Sequence, residues 1–230
     1  GAAEVEEQIS NNASGQFKQL FQLYLSGTEA APADRLLVLD AGLASSVAGE
    51  RELCIDALER MLQVHHFSRG GGAEEIGTSE RLVDWQPGTY DEVWTFQRDA
   101  ISRLTEFALS DDELAARARH HLGHNIRGLI GTPTFAEMRR TIKLVTENTG
   151  PWVDAIREIN RWLYFDSKEA PDDVRREMRA YFDTLLPDDP VELALVYAHY
   201  HAIDFTDPDR LYDPDDRNEN DYYYAHRRSQ

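Results

Sequence analysis

Thr89-Tyr-Asp-Glu-Val-Trp-Thr-Phe-Gln-Arg-Asp-Ala-Ile-Ser-Arg-Leu-Thr-Glu-Phe-Ala108 carries a helix start signal and a full helical stripe. It opens on Thr89-x-x-Glu92, the capping-box form. There a hydroxyl accepts a bond from a free backbone N–H of the first turn and a carboxylate returns one. Behind it Val93, Ala100, Ile101, Leu104 and Ala108 fall on one face of a helix. The same device recurs downstream. Ser110-x-x-Glu113 precedes a stripe of Leu114, Ala118, Leu122, Ile126 and Leu129, and Thr134-x-x-Glu137 precedes Phe135, Met138, Ile142 and Val145. Each box predicts a helix start.

Outward from this centre the spacing stays helical. Upstream, Phe17, Leu20, Phe21 and Tyr24 mark a helix expected to stop at Gly27, a residue suited to the left-handed C-terminal position. Leu36, Leu39 and Leu43 mark a second helix, and Cys54, Ala57, Leu58 and Met61 a third. Downstream, Pro151 and Pro190 suit first helical positions, where a missing N–H costs nothing, and Asp189 is placed to cap the helix that Pro190 starts. Val153, Ile156, Ile159 and Leu163 form one stripe; Val174, Met178, Tyr181, Phe182 and Leu185 form the next. Val191 to Tyr197 is apolar almost all round, so that helix is expected to be the most buried. No run alternates with period two between turn residues, and the fold class is all-α.

Short connectors such as Gly131-Thr-Pro133 and Leu186-Pro-Asp-Asp189 predict that successive helices fold back as antiparallel hairpins. Starts near Thr89, Thr134 and Pro171 lie about 40 residues apart, the scale of two-helix repeats, although no motif recurs from hairpin to hairpin. The expected architecture is an irregular stack of hairpins, a HEAT/TPR-like α-solenoid, with a compact helical bundle as the alternative. Residues 1–230 read as a single helical module. Two segments break it: a Gly-rich insertion over 66–88, and an acidic Asp/Pro stretch over 204–221 that reads as a linker. Insertions of about 20 residues tend to be functional or disordered, so the first is the expected contact surface.

Composition narrows the partners. With 42 acidic against 24 basic residues the formal charge is −18, which repels a phosphate backbone and argues against nucleic acid. The pairs Arg139-Arg140, Arg175-Arg176 and Arg227-Arg228 read as solvated helix faces. A single cysteine, Cys54, excludes an intramolecular disulfide and fits a reducing, cytoplasmic compartment. No apolar run has the length of a membrane span. The Gly1-Ala2-Ala3-Glu4 start and the helix-like close at 221–230 suggest a module excised from a longer protein.

The chemistry-bearing patterns fail on inspection. Gly72-Ala-Glu-Glu-Ile-Gly77-Thr78-Ser79 has Walker-like glycines, but Thr78 stands where the Lys belongs and two glutamates sit inside the loop. His120 and His124 have the helical spacing of two zinc ligands, yet His121 stands where a zinc protease needs its Glu. His121, near Ala118 and Leu122, is expected in the core or at a hairpin interface, with His120 and His124 exposed. The carboxylates of 207–221 lack the Gly and terminal Glu of a calcium loop. Cys54 falls on a buried stripe and no Gly-x-Ser-x-Gly elbow occurs. The expectation is no catalytic residue, no cofactor and no metal site. Trp85, in the insertion, either binds a partner or pins the loop to the helices, and Arg69, Glu74, Glu75 and Trp85 are the partner-binding candidates.

His66-Phe-Ser-Arg69, Gly71-Gly-Ala-Glu74, Asp84-Trp-Gln-Pro87 leading into Tyr90-Asp-Glu-Val-Trp94, and the Asp-Pro-Asp pieces at 207–209 and 213–215 carry a resemblance. Over residues 15 to 225 the chain resembles an interior helical segment of large, multi-domain bacterial STAND-type NTPase and defence proteins. The resemblance implies a sensor or oligomerisation arm whose chemistry resides in other domains. No nucleotide-binding motif of that family occurs here, so it transfers no catalytic residue. The functional expectation is a non-catalytic helical scaffold or sensor whose partner is a protein or another domain of the parent chain. An all-helical metal-dependent hydrolase and a structural spacer are the alternatives.

Overall fold

A computed structural model describes residues 12–68 and 83–198. Among the described residues every regular element is helical: α1 (Ala13–Gln19), α2 (Pro32–Leu43), α3 (Ala48–Leu62), α4 (Tyr90–Ala108), α5 (Ala115–Leu129), α6 (Phe135–Thr149), α7 (Val153–Arg161), α8 (Asp172–Leu185) and α9 (Pro190–Ala198). A π turn (Trp162–Asp166) and a 3-10 turn (Ser167–Glu169) follow α7. The all-α expectation holds. The chain divides into two compact units, one ending at Val145 and the other beginning at Thr146.

In the first unit α3 is the hub, packing against α1, α2, α4 and α5, while α4 and α5 pack against each other. Most of its core lies on the predicted stripes, but on α4 Val93 is only half-buried and Phe96, which the stripe leaves out, is buried instead, as is Ile55 on α3. Cys54, Ala57, Leu58 and Met61 on α3, Ala100, Ile101, Leu104 and Ala108 on α4, and Ala118, Leu122, Ile126 and Leu129 on α5 are all buried. Phe135, Met138, Ile142 and Val145 of α6 are buried as well.

The three caps diverge. At Thr89 the box forms: Thr89 Oγ1 accepts from the Glu92 N–H at 3.3 Å, and Glu92 Oε2 accepts from the Thr89 N–H at 3.1 Å. Thr89→Ala should cost about 1 kcal/mol, read as a lower urea midpoint at unchanged slope. At Ser110 no box forms, because the nearer Asp112 carboxylate takes the Leu114 N–H at 2.8 Å and α5 begins only at Ala115. Glu113 instead pairs with Arg51 at 2.9 Å. At Thr134 the hydroxyl donates to Gln97 Oε1 at 3.0 Å inside the core. A buried amide needs a partner, so Thr134 ties α4 to α6, and its carbonyl receives the Glu137 N–H at 3.1 Å.

α1 also departs from expectation, ending at Gln19 rather than running to Gly27. The Gln22 carbonyl is bonded by Arg35 Nη1 at 3.0 Å, and the chain turns through Leu25 (φ 55) and Gly27 (φ 78). Phe21 and Leu23 are buried, while Tyr24 is exposed with its ring edge-on to Phe67.

The second unit is built on α7, which packs against α8 and the π turn. Its core holds Trp152, Ile156, Ile159, Trp162, Leu163, Met178 and Phe182. α7 starts at Val153, two residues beyond Pro151, and the Ser167 hydroxyl bonds the Leu163 carbonyl behind the π turn. Asp189 does cap α9, accepting from the Val191 and Glu192 N–H groups at 2.8 and 3.0 Å. The expectation that this helix is the most buried fails. Among its described side chains Val191 is 68% exposed, Glu192 and Ala194 are exposed and Leu193 is half-buried, against a buried Val196. Apolar composition sets what a helix can bury; the surface available within its unit sets what it does bury.

Candidate functional site

Asp56 stands on α3 between the buried Ile55 and Ala57, and it gathers charged side chains from two other helices. Arg117 of α5 grips it with both arms, Nε to Oδ1 at 2.6 Å and Nη2 to Oδ2 at 2.9 Å. His121, one turn further along α5, places Nε2 at 2.9 Å from Oδ1, and Lys18 of α1 lies 3.5 Å from Oδ2. Glu52 approaches Arg117 at 3.8 Å. Burial raises the Asp56 pKa, but the bonds from His121 and Arg117 and the charges of Arg117 and Lys18 overcome it and hold the carboxyl well below the usual carboxylate range. The bond to Asp56 in turn raises the Arg117 pKa, against the opposing effect of burial.

The arrangement clamps α1, α3 and α5 through one carboxylate. His121 sits at a helix interface and His120 and His124 are exposed, as their places on the α5 stripe predict. A His–Asp contact is what a metal-dependent hydrolase would need. Here, however, the carboxylate already accepts a bidentate guanidinium and faces an ammonium, so a proton or a metal ion would have to compete with fixed cations. Among the described residues no group of three or more His, Cys, Asp or Glu side chains is arranged to hold a metal.

The second feature is the strap that leads from the insertion into α4. Of the partner-binding candidates, Arg69, Glu74 and Glu75 lie outside the described residues, as do the glycine-rich loop 72–79 and the acidic stretch 204–221. Trp85 is described, and it is held. Its backbone N–H donates to the Thr28 carbonyl at 2.9 Å, and the Arg35 guanidinium lies 5.5 Å from the centre of its ring. Two residues earlier the Val83 N–H donates to Glu29 Oε1 at 3.0 Å. Arg35 is itself buried, giving Nε to the Ala30 carbonyl at 2.8 Å and Nη1 to the Gln22 carbonyl at 3.0 Å. Burial lowers its pKa, with the Asp84 charge acting the other way.

Of the two roles open to Trp85, the pinning contacts are present. Trp85→Ala should therefore free the strap while leaving the helices folded. Cation–π contact is worth about 0.5–1 kcal/mol at partly exposed sites. Amide exchange around 83–87 should quicken several-fold with unchanged helical circular dichroism; unchanged exchange would mean that the ring contributes nothing. Beside the strap, two large apolar side chains remain in solvent: Val83 is 72% exposed and Tyr90 78% exposed, the latter stacked on Trp94 with ring centres 6.0 Å apart.

Sequence reasoning missed Asp56, Arg117 and Arg35. Arg35 had a signal, since it lies in phase with Leu36 and Leu39 on the buried stripe of α2. Asp56 and Arg117 had none, being 61 residues apart on helices whose pairing no local pattern specifies.

No protein-family model matches this chain, and searches of curated proteins and of solved structures return no match. Among the described residues no helix is long and apolar enough to cross a membrane. The fold and the site define an acidic, all-helical protein with a charge clamp between helices and a pinned strap.

Proposed function

We propose that this chain is a non-catalytic helical scaffold or sensor module, acting through protein–protein contact within a larger cytoplasmic bacterial protein of the STAND-like defence or signalling kind that its sequence resembles. The observation that carries the reading is the strap. Trp85 and Val83 are bonded to the body of the first unit, and Val83 near the end of the insertion and Tyr90 just after it stand exposed. Exposed apolar groups on a fixed support are what recognition surfaces use, because little side-chain or loop entropy remains to be lost on contact. The net charge of −18 favours an electropositive partner surface or domain.

The hydrolase reading draws on the His121–Asp56 contact, and the Arg117 and Lys18 charges on the same carboxylate weigh against it. The test is a pull-down from bacterial lysate with three proteins of matched circular dichroism: the wild type, a Val83→Ser/Tyr90→Ser variant and an Arg69→Ala/Glu74→Ala/Glu75→Ala variant. A partner held by the wild type and lost by either variant supports the scaffold reading and locates its surface. No partner moves the reading to a structural spacer, and one held equally by all three moves the contact surface elsewhere on the helices.

A further inference from the structure

We propose that His120 and His124 form a surface binding site for a divalent late first-row transition metal ion, Cu²⁺ most tightly. Both imidazoles lie on the exposed face of α5, one turn apart, with ring planes inclined by 21° and ring centres 6.4 Å apart. Neither ring makes a hydrogen bond or ion pair among the described residues, whereas the neighbouring His121 is engaged by Asp56. The nitrogens of the exposed pair are therefore available as ligands.

The geometry fits a chelate. A metal–nitrogen bond of about 2.0–2.1 Å puts each ring centre roughly 3 Å from the ion. Centres 6.4 Å apart already span about two such distances end to end. Bringing the bonds to a tetrahedral or square-planar angle asks for an approach of roughly 1–2 Å, which exposed side chains supply by small χ rotations. Imidazole suits Cu²⁺, Ni²⁺ and Zn²⁺, and the divalent affinity order places Cu²⁺ first.

The surrounding charge permits it. Arg117, one turn before His120, is neutralised by Asp56 and faces Glu52. Arg119 is turned away, donating to the Ala108 carbonyl at 2.7 Å. The chain's net charge of −18 draws cations to its surface. Two protein ligands leave coordination positions to water or to a donor side chain of a partner. The site is thus suited to joining surfaces.

Equilibrium dialysis of the whole chain against Cu²⁺ tests the assignment. The wild type should bind one equivalent that His120→Ala and His124→Ala each weaken by at least the roughly 10–100-fold that loss of an outer-shell partner costs. A His65→Ala/His66→Ala variant should bind as the wild type does. Adding Ala116→His to His124→Ala rebuilds a pair one turn earlier, since residue 116 is exposed on the same helix, and should restore the lost affinity. The proposal is overturned if the wild type shows no saturable binding, if the single variants bind as it does, or if the rebuilt pair fails to rescue.

Discussion

Gly42→Ala should destabilise the first unit by about 1–3 kcal/mol, the usual cost of overpacking a core, and Cys54→Ala should reverse most of that loss. Helix propensity alone predicts the opposite sign. Gly42 lies in the last turn of α2, where alanine would ordinarily gain roughly 0.5–1 kcal/mol over glycine. The added methyl, however, would stand 2.3 Å from Cys54 Sγ, well inside contact distance. Cys54 is only 4% exposed, so its sulfur must either turn to another rotamer inside a packed core or push the two helices apart, and both cost free energy. With alanine at both positions the obstructing sulfur is gone, and the methyl carbon of residue 54 lies at an ordinary 3.7 Å. Urea unfolding of the two single variants and the double variant should show a coupling of about 1–3 kcal/mol. A stabilised Gly42→Ala protein would show that α2 and α3 do not meet as described. The thiol gives a second readout. Burial, with the Glu50 charge second, pushes the Cys54 thiol up to about 11, so it should react slowly with a thiol reagent in the wild type and faster once α2 is forced away.

That close approach marks the limit of what the sequence discloses. The stripe on α5 was readable in full, because Leu114, Ala118, Leu122, Ile126 and Leu129 repeat at the period of one face and all five are buried. The interface position of His121 followed from the same phase. Caps were readable only where nothing competed. Thr89 faces solvent and keeps its box, Ser110 loses the position to a nearer carboxylate, and Thr134 is claimed by Gln97 from another helix. The failed expectation for α9 has a similar origin, since burial depends on a neighbour's surface that composition does not encode. For the site, Trp85 drew attention as an aromatic in a loop, but what holds it is Arg35, a cation hidden in an apolar stripe. The Asp56 clamp was out of reach, because attraction between groups 61 residues apart leaves no period to detect.

Asp56→Asn should cost about 2 kcal/mol near neutral pH, within the range for hydrogen bonds to charged groups. The value is set below the 3–5 kcal/mol of a fully buried pair because the Arg117 side chain is 41% exposed. The variant keeps the shape of the site while leaving Arg117, Lys18 and His121 around a neutral amide. The pH dependence separates lost charge from lost packing. The folded carboxyl titrates below its unfolded counterpart, because the bonds from His121 and Arg117 outweigh the upward pull of burial. Its contribution is therefore fully present above the ordinary aspartate value of about 3.9 and is lost as pH falls through the lower folded value. Wild-type stability should decline with acid below about pH 5 more steeply than that of Asp56→Asn, and the gap between them should narrow as the carboxyl is protonated. Asp40, held low by its bond to Arg103 against the effect of burial, remains in both proteins and supplies part of the slope they share. Urea unfolding at a series of pH values decides the matter. A gap that stays constant in acid would assign the loss to packing at position 56 and remove the ion pairs from the account of how α1, α3 and α5 are held.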